Sequence, residues 1–61
     1  MDLSPRQREV ALLVAAGHSS REIGLMLGIK PQTVKNLRHQ ALTRLGVQNA
    51  VQLAIALRDQ P

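Results

Sequence analysis

Residues 19–45 read SSREIGLMLGIKPQTVKNLRHQALTRL, and the stretch divides at Gly28. Ser19 followed three residues later by Glu22 is a capping box, Ile23 and Leu27 lie one turn apart on an inner face, and Gly28 is a stop signal. A helix is therefore predicted over about 20–27. Pro31 opens a second helix, which continues to Leu45 and is stopped by Gly46. At 100° per residue Val34, Leu37, Ala41 and Leu45 share one side of it, and Gln32, Asn36, His39 and Thr43 share the opposite one. Leu42, Lys35 and Arg38 fall on the flanks. A helix of about two turns is unstable alone and has to be packed against others. A short helix, a tight turn and a longer helix with a polar outer face form the plan of a helix-turn-helix.

The flanking segments supply the packing partners. Ser4 is a predicted N-cap, Pro5 takes the first helical position, and Gln7 can complete a second capping box. The helix they start spans about 5–16. Gly17 stands where a left-handed cap is needed, and Val10, Leu13 and Val14, with Ala11 alongside, form the buried stripe. Asn49 caps a fourth helix, about 50–58, whose stripe is Ala50, Leu53, Ala54 and Leu57. No strand-period segment, internal repeat, low-complexity tract or linker is visible. The fold class expected is all-α, a four-helix unit over 1–61 forming a single domain.

Composition narrows the function. A chain of 61 residues buries only about 60% of the surface its unfolded form exposes, so large substrate cavities are excluded. With 8 Lys+Arg against 4 Asp+Glu and an isoelectric point near 11.3, the balance favours a polyanionic partner over the plainer alternative of ordinary surface charge. Cysteine is absent, which removes disulfides, thiolate-zinc sites and thiol nucleophiles together, and fits a reducing cytoplasm. The longest apolar run, Val10 to Ala16, is far short of the roughly 20 residues that cross a bilayer, and no signal sequence precedes it. No membrane association is expected. Phe, Trp and Tyr are also absent, so the base stacking used by single-strand and RNA-loop binders has few side chains to rely on. Double-stranded DNA is the better candidate partner.

A polar helix face with basic flanks suits the major groove, because a helix fits its width and the base edges there carry a distinctive donor and acceptor pattern. Lys35, Asn36 and His39 are the expected base contacts. Lysine donates to guanine, asparagine can pair with adenine through two bonds, and histidine can donate or accept. The plainer alternative is a solvated helix face. Lys30 is an unusual N-cap, since it has no oxygen to accept the first N–H groups of the helix. A DNA phosphate is expected there, held by those N–H groups, the positive helix end and the Lys30 ammonium. Water is the alternative occupant. Thr33 can contact the same phosphate or bond back to its own backbone. Ser20 and Arg21 can grip the flanking strand, with Arg38 as a further backbone contact. Catalysis is not expected: His18 and His39 lack metal-ligand spacing, and of Asp2, Glu9, Glu22 and Asp59 two lie near the chain ends. Glu22 reads as a capping residue, and Glu9 can pair with Arg38 or Arg6. No cofactor or metal is implied.

Four segments together resemble the LuxR-type (GerE-like) helix-turn-helix domain: Leu3-Ser4-Pro5-Arg6-Gln7-Arg8-Glu9-Val10, then Gly17-x-Ser19-Ser20-Arg21-Glu22-Ile23, then Leu27-Gly28-Ile29-x-x-x-Thr33-Val34-Lys35-Asn36, then Leu45-Gly46-Val47. The match runs from Leu3 to Leu57. The resemblance implies a bacterial transcription regulator that binds DNA as a homodimer, helix three in the major groove and helix four at the twofold interface. It also implies base contacts at Lys35 and His39, a Thr33-Val34-Lys35 element, and backbone contacts at Ser20 and Arg21. Departures are Lys30 where serine or threonine commonly caps, Gly24 where alanine is common, Leu37 where histidine is frequent, and His39 in place of a longer polar or basic residue. Gly24 in a helix costs about 1 kcal/mol of propensity relative to alanine.

Several apolar residues stand outside the core stripes. Val51 and Ile55, with Gln52, fit the dimer surface that the resemblance implies. Leu12, Leu25 and Met26 are left over and mark a candidate docking surface for another protein, such as RNA polymerase or a second regulator. Two other functions compete with DNA regulation. Gln40-Ala41-Leu42-Thr43-Arg44-Leu45 also resembles a promoter-reading region of an RNA polymerase sigma factor, although Thr33-Val34-Lys35 and Leu45-Gly46-Val47 fit the LuxR-type pattern better. A protein-interaction module that has lost DNA binding is the other, favoured by the apolar surface and opposed by Lys35 and the positive charge. Because Met1 lies two residues before the matched pattern, the chain reads either as a free-standing regulator or as an excised fragment, located in the bacterial cytoplasm and on the nucleoid when bound.

Overall fold

The computed structural model describes residues 2–59, and among them lie four helices, α1 (Pro5–Ala15), α2 (Ser20–Leu27), α3 (Pro31–Leu45) and α4 (Ala50–Arg58), and no strand. Three of the four begin at an oxygen-bearing side chain. Ser4 Oγ accepts from the Gln7 N–H at 3.2 Å while Gln7 Oε1 accepts from the Ser4 N–H at 3.0 Å. Ser19 and Glu22 repeat the exchange at 3.1 and 2.8 Å. Asn49 Oδ1 accepts from the Gln52 N–H at 2.9 Å, and Gln52 Oε1 reaches back to the Gln48 N–H at 2.8 Å. Each cap satisfies N–H groups that the first helical turn cannot, worth about 1 kcal/mol apiece. Lys30 makes no side-chain cap bond.

The helix ends follow the glycines. Gly28 and Gly46 have φ of 70° and 68°, a conformation that brings the following N–H back onto the helix: Ile29 donates to the Gly24 carbonyl at 2.9 Å and Val47 to the Leu42 carbonyl at 3.0 Å. Both closures fold an apolar side chain inward, since Ile29 and Val47 pack on the core. Helix α1 stops at Ala15, one residue short of the sequence expectation, because Ala16 is the cap and Gly17 the left-handed residue after it.

The core consists of Leu3, Val10, Ala11, Val14, Ile23, Val34, Ala41 and Leu53, all buried. Helices α1 and α3 each pack against all three others, whereas α2 and α4 do not touch. The short α2 therefore leans on α3 and α1, and α4 is seated mainly on α1 through Leu53. The expected stripes hold, with Leu13, Leu37, Leu45 and Leu57 half-buried at the core margin. Leu3, Ile29 and Val47 are core members outside any helix and were not among those stripes.

Two residues do more than local rules require. Gln7 is buried, and besides closing its capping box it donates from Nε2 to Gln40 Oε1 at 3.1 Å, joining α1 to α3. Gly24 is buried where the 28–31 turn passes over α2: a Cβ there would lie 2.6 Å from the Ile29 carbonyl oxygen and 3.4 Å from the Pro31 nitrogen. The sequence view of Gly24 as a loss of helix propensity is thus corrected; it permits close backbone approach. Glu9 pairs with Arg6 at 3.6 Å and not with Arg38, an exposed pair of the kind worth little. None of the described helices is long and apolar enough to cross a membrane.

Candidate nucleic-acid interface

Helix α3 buries Val34 and Ala41 and turns Gln32, Thr33, Lys35, Asn36, His39 and Thr43 to solvent. At 15 residues it is about 22 Å long, and its inner face is fixed by α1 and α2, so the outer face is a rigid display. Three of its polar residues are the expected base contacts. Lys35, Asn36 and His39 occupy neighbouring positions on the exposed surface, and Asn36 is tied by its Oδ1 to Gln32 Nε2 at 3.2 Å.

The start of α3 is open. Val34 N–H is the first to close a helical bond, to the Lys30 carbonyl at 3.1 Å. Pro31 has no N–H, so the Gln32 and Thr33 N–H groups face outward without a capping oxygen, beside the exposed Lys30. An anion there would meet two donors, the positive helix end and an ammonium. The start of α2 differs in kind. Its Ser19 N–H is already held by the Glu22 carboxylate, and that bond, together with the Ser19 hydroxyl, holds the Glu22 carboxyl below the ordinary glutamate range. Glu22 is therefore charged at neutral pH and serves as a cap, not as an acid. His18 Nδ1 stands 4.0 Å from its Oε1. Side chains are also at hand at this end: Ser20, half-buried Arg38 and His18 line one cleft there, together with Val14, Gly17, Ser19 and Ala50. The structure so brings Ser20 and Arg38 together, and leaves Lys30 and Thr33 at the far end of α2.

Charge is distributed unevenly. Between Ile23 and Arg58 the chain has Lys30, Lys35, Arg38, Arg44 and Arg58 and no aspartate or glutamate. All of α3 and α4 is consequently free of carboxylates, which leaves a field suited to polyanions. This acid-free run was legible in the sequence once the four carboxylates were mapped. Arg44 is turned back, donating from Nη1 to the Asp2 carbonyl at 2.9 Å, and Gln7, His39, Gln40 and Thr43 line a shallow cleft beside it. Gln7, Gln32 and Gln40 were not singled out as site residues; their roles depend on helices meeting or on side-chain pairing that spacing alone does not reveal.

Apolar surface is exposed in the places expected. Val51 is 71% and Ile55 46% exposed on α4, with Gln52 between them. Leu12 on α1, and Leu25 and Met26 on α2, are likewise exposed, Leu25 by 79%. Among the described residues no group of three His, Cys, Asp or Glu is placed to hold a metal ion.

A family described as bacterial regulatory proteins, luxR family, matches residues 1–57. Similar relatives include YhjB of Escherichia coli, 46% identical over 90% of this chain, and the transcriptional regulatory protein UhpA of Salmonella typhimurium, 42% identical over 93% of it. The two-component response regulator PprB of Pseudomonas aeruginosa is 46% identical over 90% of the chain. The chain spans only 28%, 29% and 20% of these relatives' lengths, respectively. No solved structure matches it. Match and geometry agree on a helix-turn-helix built from α2 and α3, and the chain belongs to the luxR family of bacterial regulatory proteins.

Proposed function

We propose that this chain is the sequence-specific, duplex-DNA-binding unit of a bacterial transcription regulator, folding as a single domain. Helix α3 enters the major groove, with Lys35, Asn36 and His39 reading base edges. Lys30 and Thr33 hold a phosphate at its open start, and Ser20, Arg21 and Arg38 grip the backbone beside α2. The observation that carries this reading is the carboxylate-free α3 with its uncapped, lysine-flanked N-terminus. Two copies meet through Val51, Gln52 and Ile55 of α4. Gln52 uses its Oε1 within its own helix cap, so its Nε2 is the group left for a partner.

Random-site selection with the purified chain tests the proposal, followed by binding at fixed salt. Lys35→Ala is expected to lower affinity for the selected site by about 1 to 3 kcal/mol and to relax preference at one base position. Binding as tight as the parent's would show that α3 is not the reading helix. The exposed Leu12, Leu25 and Met26 favour a second reading, an interaction module for polymerase or another regulator that has given up DNA. Failure to enrich any duplex would put that reading first. The family match sets the sigma-factor resemblance aside.

A further inference from the structure

Gln32 and Asn36 are one turn apart on the exposed face of α3, and the Gln32 Nε2 donates to Asn36 Oδ1 at 3.2 Å. A carboxamide has two donors on nitrogen and two acceptor sites on oxygen. To read adenine through two bonds, an asparagine has to accept from N6 with Oδ1 and donate to N7 with Nδ2 at once. Here one of the two acceptor sites of Oδ1 is taken by Gln32, so an incoming adenine N6 has to share that oxygen with it. What Asn36 offers the groove most freely is then its Nδ2 donors, suited to acceptor edges such as purine N7, guanine O6 or thymine O4. The acceptor reappears one turn earlier: Gln32 Oε1 has no partner among the described residues and is suited to an amino group of adenine or cytosine.

We infer that Gln32 is a positioning residue that sets the base preference of Asn36, the two amides acting as one donor-and-acceptor unit. This rests on the reading of α3 as the groove helix. In free solution the exposed bond competes with water. Between protein and DNA, where water is displaced, the same bond is stronger because bulk water no longer competes for the two amides.

The experiment is random-duplex selection and competition binding at fixed salt, with the parent, Gln32→Ala, Gln32→Glu, Asn36→Ala and the double alanine variant. Asn36→Ala identifies the base pair that Asn36 reads, as the position where preference flattens. If no position flattens, Asn36 reads no base, and the α3 assignment fails at that residue together with the inference. Given such a position, Gln32→Ala frees Oδ1 and moves preference there toward adenine by about fivefold. Gln32→Glu has only acceptor oxygens, draws Nδ2 to itself and presents Oδ1 outward, moving preference toward cytosine or adenine. Its added negative charge weakens binding to all sequences, and because a carboxylate also accepts from cytosine or adenine amino groups at its own contact, the ratio is read only at the position that Asn36→Ala flattens. In the double variant the position is as flat as in Asn36→Ala alone. The inference is overturned if Asn36→Ala flattens a position and both Gln32 variants keep the parental preference there.

Discussion

Lys30 sits at the start of α3, where serine, threonine or asparagine would accept an N–H bond, and it leaves two donors uncapped. Stability and binding are therefore opposed at this residue. Lys30→Ser supplies the missing oxygen and is expected to stabilise the fold by about 0.5 to 2 kcal/mol in urea unfolding. It also removes an ammonium from the proposed phosphate seat, so the slope of log affinity against log salt should fall by about 0.9. Unchanged salt dependence would mean that Lys30 does not contact phosphate. The absence of a cap was legible in the sequence because capping is a one-residue property. The Gln32 to Asn36 bond was not, although the i, i+4 spacing permits it, because an exposed amide has several partners within reach and spacing does not choose among them.

At the level of elements, the turn between α2 and α3 decides how far α3 stands from α2. Gly24 closes that turn by accepting the Ile29 N–H at 2.9 Å while leaving no room for a Cβ beneath the Ile29 carbonyl. Gly24→Ala gains about 1 kcal/mol of helix propensity. It must also push backbone atoms aside, and strain of this kind costs about 1 to 3 kcal/mol. We expect a net loss of stability and weaker DNA binding, because the displaced turn carries Pro31 and the start of α3 with it. A melting temperature at or above the parent's would show that the turn yields without strain. Propensity reasoning has the opposite sign here because it counts α2 alone, and the obstacle belongs to another segment. The four helices, by contrast, were legible to within a residue, since their caps, glycines and apolar periodicity are all local.

Across the whole molecule, α1 and α3 form the frame on which α2 and α4 are separately mounted, giving a body of 28 × 19 × 19 Å. Helix α4 contributes Leu53 to the core and keeps Val51 and Ile55 outside. That exposed patch is small beside the roughly 800 Å² per partner of a standard interface. A dimer through α4 is thus expected to form mainly when DNA aligns two copies. Ile55→Glu should leave the monomer folded, since the residue is exposed, and leave single half-site affinity unchanged. It should weaken binding to a two-half-site duplex at least about tenfold, equivalent to roughly 1.4 kcal/mol. Gel shifts on half-site and full-site duplexes, with sedimentation of the free protein, measure this directly. Equal loss on both duplexes would place Ile55 outside the dimer contact.

The sequence by itself determined where helices start and stop, which face of each is apolar, and that the helix-turn-helix carries no acid from α3 onward. Those properties depend on hydrogen bonds and side-chain periodicity within a few residues, and on charge, which can be counted. Tertiary structure alone decided that Gln7 fastens α1 to Gln40 of α3, that Leu3, Ile29 and Val47 complete the core, and that Gly24 lies beneath a turn. It also decided that Arg38 joins Ser20 beside the start of α2. Each of these depends on the distance between segments far apart in the chain, a distance set by how all four helices fill the same small core together.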